Sequence, residues 1–241
     1  SAQVVPFKLR NNQRLLEGVV SGLVTNWLHG FEIVVLKDRQ ALITSKCQAD
    51  AFVNVVGLPN VHAVHVFQDK ETGDQLMERL GLFWDRVEHD PVGRWLLNND
   101  GVEIRKVGDS KSELLLEFWH GGQLAGKSSY LIISAGVREF GPGIAPNFVI
   151  WDEYDLYANL DLVARINAGK AENCRTYKIS TPRGQKQLYT DYMAAKEGRS
   201  GAVALVLYCF QNPANRMRPG SAQAPPAYRE GFEFEAEHQR I

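Results

Sequence analysis

Residues 147–157 read Asn-Phe-Val-Ile-Trp-Asp-Glu-Tyr-Asp-Leu-Tyr, and this stretch decides the expected fold. Residues 148–151 are apolar without interruption, which is typical of a strand buried on both faces of a parallel sheet. The run ends abruptly in two acids, Asp152 and Glu153. Acids at the carboxyl end of such a strand project into the crevice where open α/β sheets bind ligands. In nucleotide hydrolases the first acid holds Mg²⁺ and the second polarises the attacking water, so we interpret the pair as a Walker B-like site.

Length and composition bound the class of protein. The chain has 241 residues, of which 44% are hydrophobic and 23% charged, as in a globular protein with a substantial core. A net charge of −1 gives no overall basic character that would indicate nucleic acid, although a local patch is compatible with it. The three cysteines lie far apart and predict reduced thiols in a cytosolic protein. Since no apolar run approaches the length of a membrane span, we expect no membrane segment.

A second buried strand precedes a polar loop and a helix early in the chain. The strand is predicted at residues 31–36, the loop at 37–46 and the helix at 47–56. In this layout a helix N-terminus and its free N–H groups cradle phosphates. The loop lacks the glycines and the Gly-Lys-Thr ending of a standard P-loop. It carries Arg39 for phosphate charge and Thr44 as a hydroxyl for Mg²⁺.

Residues 121–128 match the standard P-loop pattern letter for letter, as Gly-Gly-Gln-Leu-Ala-Gly-Lys-Ser. Their context is wrong for that function, because residues 129–134 are rich in β-branched and aromatic side chains and favour a strand. Without a helix N-terminus there is no dipole and no row of free N–H groups for the phosphates. We therefore predict that residues 121–127 form a hairpin turn.

The rest of the chain alternates between strand and helix patterns. Further strands are predicted at residues 62–67, 102–105, 114–119, 175–180 and 202–210, and further helices at 70–87, 160–168 and 187–196. Gln13 lies in the first turn of an additional helical pattern, where a side-chain amide could read an adenine edge. Residues 212–226, rich in Pro, Asn and Ala, are predicted to be a loop or linker.

Taken in order, these segments resemble the ATPase domain of the large terminase subunit, the DNA-packaging motor of tailed bacteriophages. The resemblance covers nearly the whole chain. Residues 7–13 look like the family's adenine-binding segment, 36–44 like its deviant Walker A, 148–153 like its Walker B, and 180–182 like its coupling motif. One position departs from the pattern, because the P-loop glycine of the family falls at Leu42, whose side chain crowds the approach of backbone to phosphate.

The resemblance implies a role for each residue of a nucleotide site. Glu153 would activate water, and Arg138 would act as an arginine finger on the neighbouring subunit. Asp152 and Thr44 would hold Mg²⁺. The implied nucleotide-binding residues are Gln13, Lys37, Arg39, Gln40, Thr44, Ser45 and Thr181.

The expected fold is a P-loop-type three-layer α/β sandwich with a mainly parallel central sheet. Residues 1–202 would form the ATPase core and 203–241 a small C-terminal subdomain and linker, with the family's nuclease domain absent. The resemblance implies ATP and Mg²⁺ as cofactors. It also implies double-stranded DNA, the portal protein and the small terminase subunit as partners, in a homo-oligomeric ring on the procapsid in the host cytoplasm. An isolated domain could be monomeric.

Two other classes of function stay open. Residues 152–155, Asp-Glu-Tyr-Asp, also read as the DExD box of a superfamily-two helicase, and residues 180–182 as its third motif. That class should carry a glycine-rich P-loop after its first strand and a second motor domain, which this sequence lacks. The other alternative is a non-hydrolysing scaffold that binds DNA or portal protein through a degenerate nucleotide site, and Leu42 favours it.

Overall fold

Helices and strands alternate along the part of the chain that the structure, a computed structural model, describes: residues 11–23, 30–37, 43–99, 101–110, 112–136, 144–157, 160–181 and 186–207. The helices are α1 (Asn11–Leu23), α2 (Ile43–Gly57), α3 (Lys70–His89), α4 (Pro91–Leu97), α5 (Leu160–Gly169) and α6 (Gln187–Lys196). The strands are β1 (Phe31–Lys37), β2 (His62–Phe67), β3 (Asn98–Asn99), β4 (Val102–Ser110), β5 (Glu113–His120), β6 (Gln123–Ser134), β7 (Phe148–Asp152), β8 (Arg175–Ser180) and β9 (Val203–Leu207). A 3₁₀ turn occupies Tyr154–Leu156.

The strands form one sheet in the order β3-β4-β5-β6-β2-β7-β8-β1-β9. All pairings from β6 to β9 along this order are parallel, whereas β3 to β6 pair antiparallel. The predicted α/β fold with a mainly parallel central sheet is confirmed. Strand β9 pairs with β1 at the edge of this sheet, so the predicted domain boundary at residue 203 falls on a sheet strand. The rest of the predicted subdomain, residues 208–241, lies outside the described residues.

Strand β7 is central because its side chains are buried on both faces of the sheet. Phe148 and Ile150 pack in the core shared with α1, α2 and α3, and Val149 and Trp151 pack in the core shared with α5 and α6. Burying one such side chain completely stabilises a fold by about 1.5–3 kcal/mol. The uninterrupted apolar run is thus explained by two cores that meet at one strand. The three layers are the sheet and one helical layer on each face.

Residues 121–128, which match the P-loop sequence pattern, form a hairpin turn and the beginning of strand β6. Gly121 and Gly122 have φ angles of +57° and +79°, as a tight hairpin turn requires at both central positions. Strand β6 begins at Gln123, so Lys127 lies within a strand and pairs with Glu117 across the hairpin, 2.7 Å from Nζ to Oε1. The prediction of a hairpin is confirmed, with a turn limited to the two glycines.

Several element boundaries differ from the sequence prediction. Helix α2 begins at Ile43 instead of residue 47, so Thr44 and Ser45 are helical and not part of the loop. Helix α4 was not predicted; it begins at Pro91, with the Asp90 side chain accepting a hydrogen bond from Val92 N at 2.9 Å. Within the described ranges, no helix is both long and apolar enough to cross a membrane.

Candidate nucleotide site at the carboxyl edge of the sheet

Three adjacent parallel strands end together at one edge of the sheet. Strand β8 lies between β7 and β1, with Asp152 level with Ile179 and Leu36 level with Ser180. Because each strand continues in the same direction, the residues that follow Asp152 and Leu36 converge beside Ser180. The edge where α/β sheets bind ligands therefore carries the last residues of β1, β7 and β8.

Thr44 and Asp152 meet across the interface between α2 and the sheet. Asp152 follows Phe148 and Ile150 in the alternation of β7, so its side chain projects from the face that packs on α2. The Thr44 hydroxyl donates a hydrogen bond to Asp152 Oδ1 at 2.9 Å, between residues 108 positions apart in the sequence. The early start of α2 makes this contact possible, because it places Thr44 in the first helical turn.

Glu153 has a left-handed backbone, with φ 53° and ψ 43°. This conformation is uncommon for a residue with a side chain and costs about 1 kcal/mol or more. It turns the chain sharply after β7 and leaves both carboxylate oxygens engaged. Lys37 Nζ lies 3.0 Å from Oε1, and the Ser180 hydroxyl donates to Oε2 at 3.3 Å. Strained backbone of this kind persists where surrounding contacts fix it, and it is concentrated at functional sites.

Tyr157 fixes the end of β7 from the other side. Its hydroxyl lies 2.7 Å from the Asp152 carbonyl oxygen and 2.8 Å from that of Val66, the two acceptors available to its proton. Burial raises the pKa of this phenol well above its ordinary value, so it stays a neutral donor. Sequence reasoning missed Tyr157. The available signal was a tyrosine just after the acids, since a buried phenol usually finds a hydrogen-bond partner.

Burial raises the pKa of the Asp152 carboxyl above its ordinary value, and neither the Lys37 ammonium nor the Thr44 hydroxyl cancels the effect. The site thus places a buried carboxylate next to a hydroxyl oxygen. That donor set fits Mg²⁺, a hard cation with oxygen ligands. No group of three or more His, Cys, Asp or Glu side chains in the described part of the chain could hold a metal. Mg²⁺ usually needs only one or two carboxylates, because substrate phosphates and water complete its shell.

The structure brings together four of the predicted site residues, Lys37, Thr44, Asp152 and Glu153. Thr181 follows β8 and is half-buried, and its carbonyl oxygen, 3.3 Å from the Ser180 hydroxyl, is the alternative acceptor for the one proton that this hydroxyl can donate. The hydroxyl that reaches Glu153 belongs to Ser180.

The other predicted nucleotide-binding residues are not brought together by the described contacts. Gln13 is buried in the first turn of α1, and Ser45 is half-buried beside Thr44. Arg39, Gln40 and Arg138 lie outside the described residues. Their roles stay predictions.

Solved structures share this architecture. The large terminase ATPase domain of Thermus phage P74-26 superposes with a TM-score of 0.60 at 16% identity, over 84% of this chain and 87% of that one. The large terminase of bacteriophage HK97 superposes with a TM-score of 0.62 at 17% identity, over 93% of this chain. The chain has the fold of a large terminase ATPase domain. It spans only 42% of the HK97 large terminase.

A third large terminase, from another thermophilic bacteriophage, was solved in complex with ATP-gamma-S. It superposes on this chain with a TM-score of 0.55 at 8% identity, over 94% of this chain and 49% of that one. A structure of the same large terminase in complex with ADP superposes on this chain with a TM-score of 0.52. No protein-family model matches the chain, and no curated protein matches it.

Proposed function

We propose that this chain is the motor domain of a large terminase, which hydrolyses ATP with Mg²⁺ and drives double-stranded DNA into a procapsid. The observation that carries the proposal is the pair of acids at the end of β7, with Asp152 hydrogen-bonded to Thr44 and Glu153 beside Lys37 and Ser180. The shared fold supports the proposal, and the nucleotide complexes of one relative support ATP as substrate.

In this proposal Glu153 orients the attacking water. A carboxylate does so by accepting a hydrogen bond from the water, and each oxygen of Glu153 keeps acceptor capacity beyond its contact with Lys37 or Ser180. The phosphates of ATP offer Lys37 a second anion within the same edge of the sheet. If Lys37 turns to the phosphates, Oε1 loses its ion pair and becomes a stronger base for the proton of the water that attacks the γ-phosphorus. Ser180 keeps Oε2 in place, so the carboxylate does not lose its orientation.

Asp152 and Thr44 are the residues that would hold Mg²⁺, which neutralises charge on the phosphates when it is bound. The carboxylate of Asp152 would supply the charge and the hydroxyl of Thr44 a neutral oxygen. Tyr157, through the Asp152 carbonyl, keeps the end of β7 fixed.

The proposed partners follow from the same family. They are double-stranded DNA, the portal protein and the small terminase subunit, in a homo-oligomeric ring that acts at the procapsid in the host cytoplasm. DNA is the partner most directly tested, because a motor should hydrolyse ATP faster when its DNA track is present.

The proposal is tested by comparing Glu153→Gln with Glu172→Gln, a control in which the exposed Glu172 is changed in the same way. Binding of a non-hydrolysable ATP analogue is titrated with and without Mg²⁺, and phosphate release is measured with and without DNA. Glu153→Gln should lower kcat by about 100-fold or more, the usual range for loss of a general base. Its affinity for the analogue should stay within about threefold, because water is positioned mainly in the transition state.

Two results would contradict the proposal. Equal losses of binding and turnover in Glu153→Gln would make Glu153 a structural residue. Analogue binding by the wild-type chain without phosphate release, even with DNA, would favour the non-hydrolysing scaffold instead.

A further inference from the structure

Helix α6 is attached to the sheet by little apolar burial. Leu188 is the one buried residue among its ten. Its residue Asp191 accepts a hydrogen bond from Lys178 of β8 at 2.7 Å. Burial disfavours the charged form of Lys178, but Glu32 and Asp191 outweigh that effect and raise its pKa. The position of α6 therefore depends to a large extent on polar contacts.

The N-terminus of α6 is capped from another part of the chain. Lys186 occupies the N-cap position and makes no side-chain cap hydrogen bond. Instead, Asp155 Oδ1 accepts a hydrogen bond from Leu188 N at 2.9 Å, across 33 positions of sequence. A carboxylate at this place also interacts favourably with the positive end of the helix dipole. The cap is thus a tertiary contact between α6 and the turn that follows β7.

Asp155 belongs to the same short turn as Glu153. Leu156 N donates to the Glu153 carbonyl oxygen at 2.9 Å, which closes the 3₁₀ turn around Asp155. Tyr157 fixes the turn to the sheet, and the Asp155 carboxylate attaches it to α6. Any displacement of the α6 N-terminus would pull on the residue two positions after Glu153.

Two hydrogen bonds therefore join the turn that carries Glu153 and Asp155 to β8 and to α6. Ser180, the last residue of β8, donates to Glu153, and Leu188, in the first turn of α6, donates to Asp155. The two contacts lie on either side of residues 182–185. One link holds the Glu153 side chain, and the other holds the backbone that carries it.

The second carboxylate oxygen of Asp155 does not take part in the link to α6. Asp155 is 7% exposed, and its Oδ2 is buried without a hydrogen-bond partner in the described part of the chain. A buried acceptor left unpaired is costly, and a Ser or Asn could cap α6 without it. The link to α6 therefore requires only one acceptor oxygen at this position.

We propose that Asp155 is a positioning residue of the site: it couples the N-terminus of α6 to the turn of Glu153, so that movement of the helix and orientation of the carboxylate change together. The inference rests on the proposed ATPase function for its effect on turnover. The coupling itself is a property of the fold and can be measured without nucleotide.

The test compares Asp155→Ala, Asp155→Asn and Asp69→Ala. Asp69 is the matched control, because it caps α3 through the same kind of contact, with Oδ1 accepting from Thr72 N at 3.0 Å. Asp155→Ala should lower kcat for ATP by about 10- to 100-fold, the cost of slightly misplacing a catalytic group. KM should change much less. Asp155→Asn retains an acceptor oxygen for Leu188 N and should recover most of the turnover, whereas Asp69→Ala should leave kcat unchanged.

A second measurement separates the coupling from the function. Ser180→Ala releases Glu153 Oε2, and hydrogen exchange at the Leu188 amide is then compared with the wild type, without nucleotide. Faster exchange in this variant supports the coupling, even if the wild-type chain proves to hydrolyse no ATP. Unchanged exchange, or a kcat in Asp155→Ala equal to that of Asp69→Ala, would overturn the inference. Loss of turnover in Asp155→Asn as large as in Asp155→Ala would also overturn it, because the link requires only an acceptor.

Discussion

Lys37 and Glu153 form an ion pair across the carboxyl edge of the sheet, with 3.0 Å between Nζ and Oε1 and 116 positions of sequence between them. The pair is largely shielded from solvent, since the two side chains are 11% and 29% exposed. It joins the end of β1 to the turn after β7 and passes over the end of β8. Two residues with different proposed tasks, phosphate binding and water activation, are therefore in direct contact.

Lys37→Met should weaken binding of an ATP analogue and lower kcat. Met keeps the length and apolar stem of the side chain but removes the charge that would reach the phosphates. Loss of a charge-assisted hydrogen bond of about 1.5–3 kcal/mol corresponds to about 10- to 100-fold in Kd. Isothermal titration gives Kd, and phosphate release gives kcat. Unchanged affinity would show that Lys37 serves only to hold Glu153.

Lys127→Ala should leave both the Kd for the ATP analogue and kcat unchanged. Lys127 occupies the lysine position of the P-loop pattern in residues 121–128, yet it lies in β6 and pairs with Glu117. It is a matched control for Lys37, since each is a lysine paired with a glutamate. The same titration and phosphate-release assays apply. A large loss of nucleotide affinity here would move the proposed active site to the hairpin.

Arg138, outside the described residues, is predicted to act on the nucleotide of a neighbouring subunit. If so, Arg138→Ala and Glu153→Gln subunits should each be inactive alone and recover ATPase activity when mixed, because each supplies what the other lacks. An arginine finger can contribute about 10³–10⁵ in rate, so even partial recovery is measurable. Rings shown to contain both subunits but lacking activity would exclude action across the interface. Full activity of Arg138→Ala alone would remove Arg138 from the site.

His65 should make the protein less stable in mild acid. It is fully buried in β2, its Nδ1 lies 3.2 Å from the Tyr130 hydroxyl, and burial lowers its pKa from 6.5 to about 3. Between these values the unfolded chain binds the proton and the folded chain does not, so stability is lost as the pH falls through this window. His65→Gln should lower the slope of unfolding free energy against pH by up to about 1.4 kcal/mol per pH unit.

Denaturant unfolding of the wild type, His65→Gln and the exposed-site control His120→Gln at several pH values between 7 and 5 measures this slope. The control should keep the wild-type slope. An unchanged slope in His65→Gln would show that other groups cause the acid sensitivity.

Local sequence patterns predicted the elements that the site needs. The apolar run of β7 was recognisable because a strand buried on both faces cannot alternate, and its two acids marked the end of burial. The hairpin at Gly121 and Gly122 was recognisable because β-branched residues follow it, and this excluded a phosphate loop despite its letters. The residues at which helices and strands begin were predicted less accurately. The start of α2 at Ile43 was missed because polar residues of its first turn resemble a loop.

The sequence by itself therefore determined which residues end each strand and which chemistry they carry, since periodicity and composition act over neighbouring positions. Only the tertiary structure decided which of these ends meet. Strand order, with β8 between β7 and β1, places Lys37 and Ser180 on the two oxygens of Glu153. It also places Asp155 at the N-terminus of α6. Pairing between strands far apart in sequence depends on packing of the whole sheet, and no local pattern contains that information.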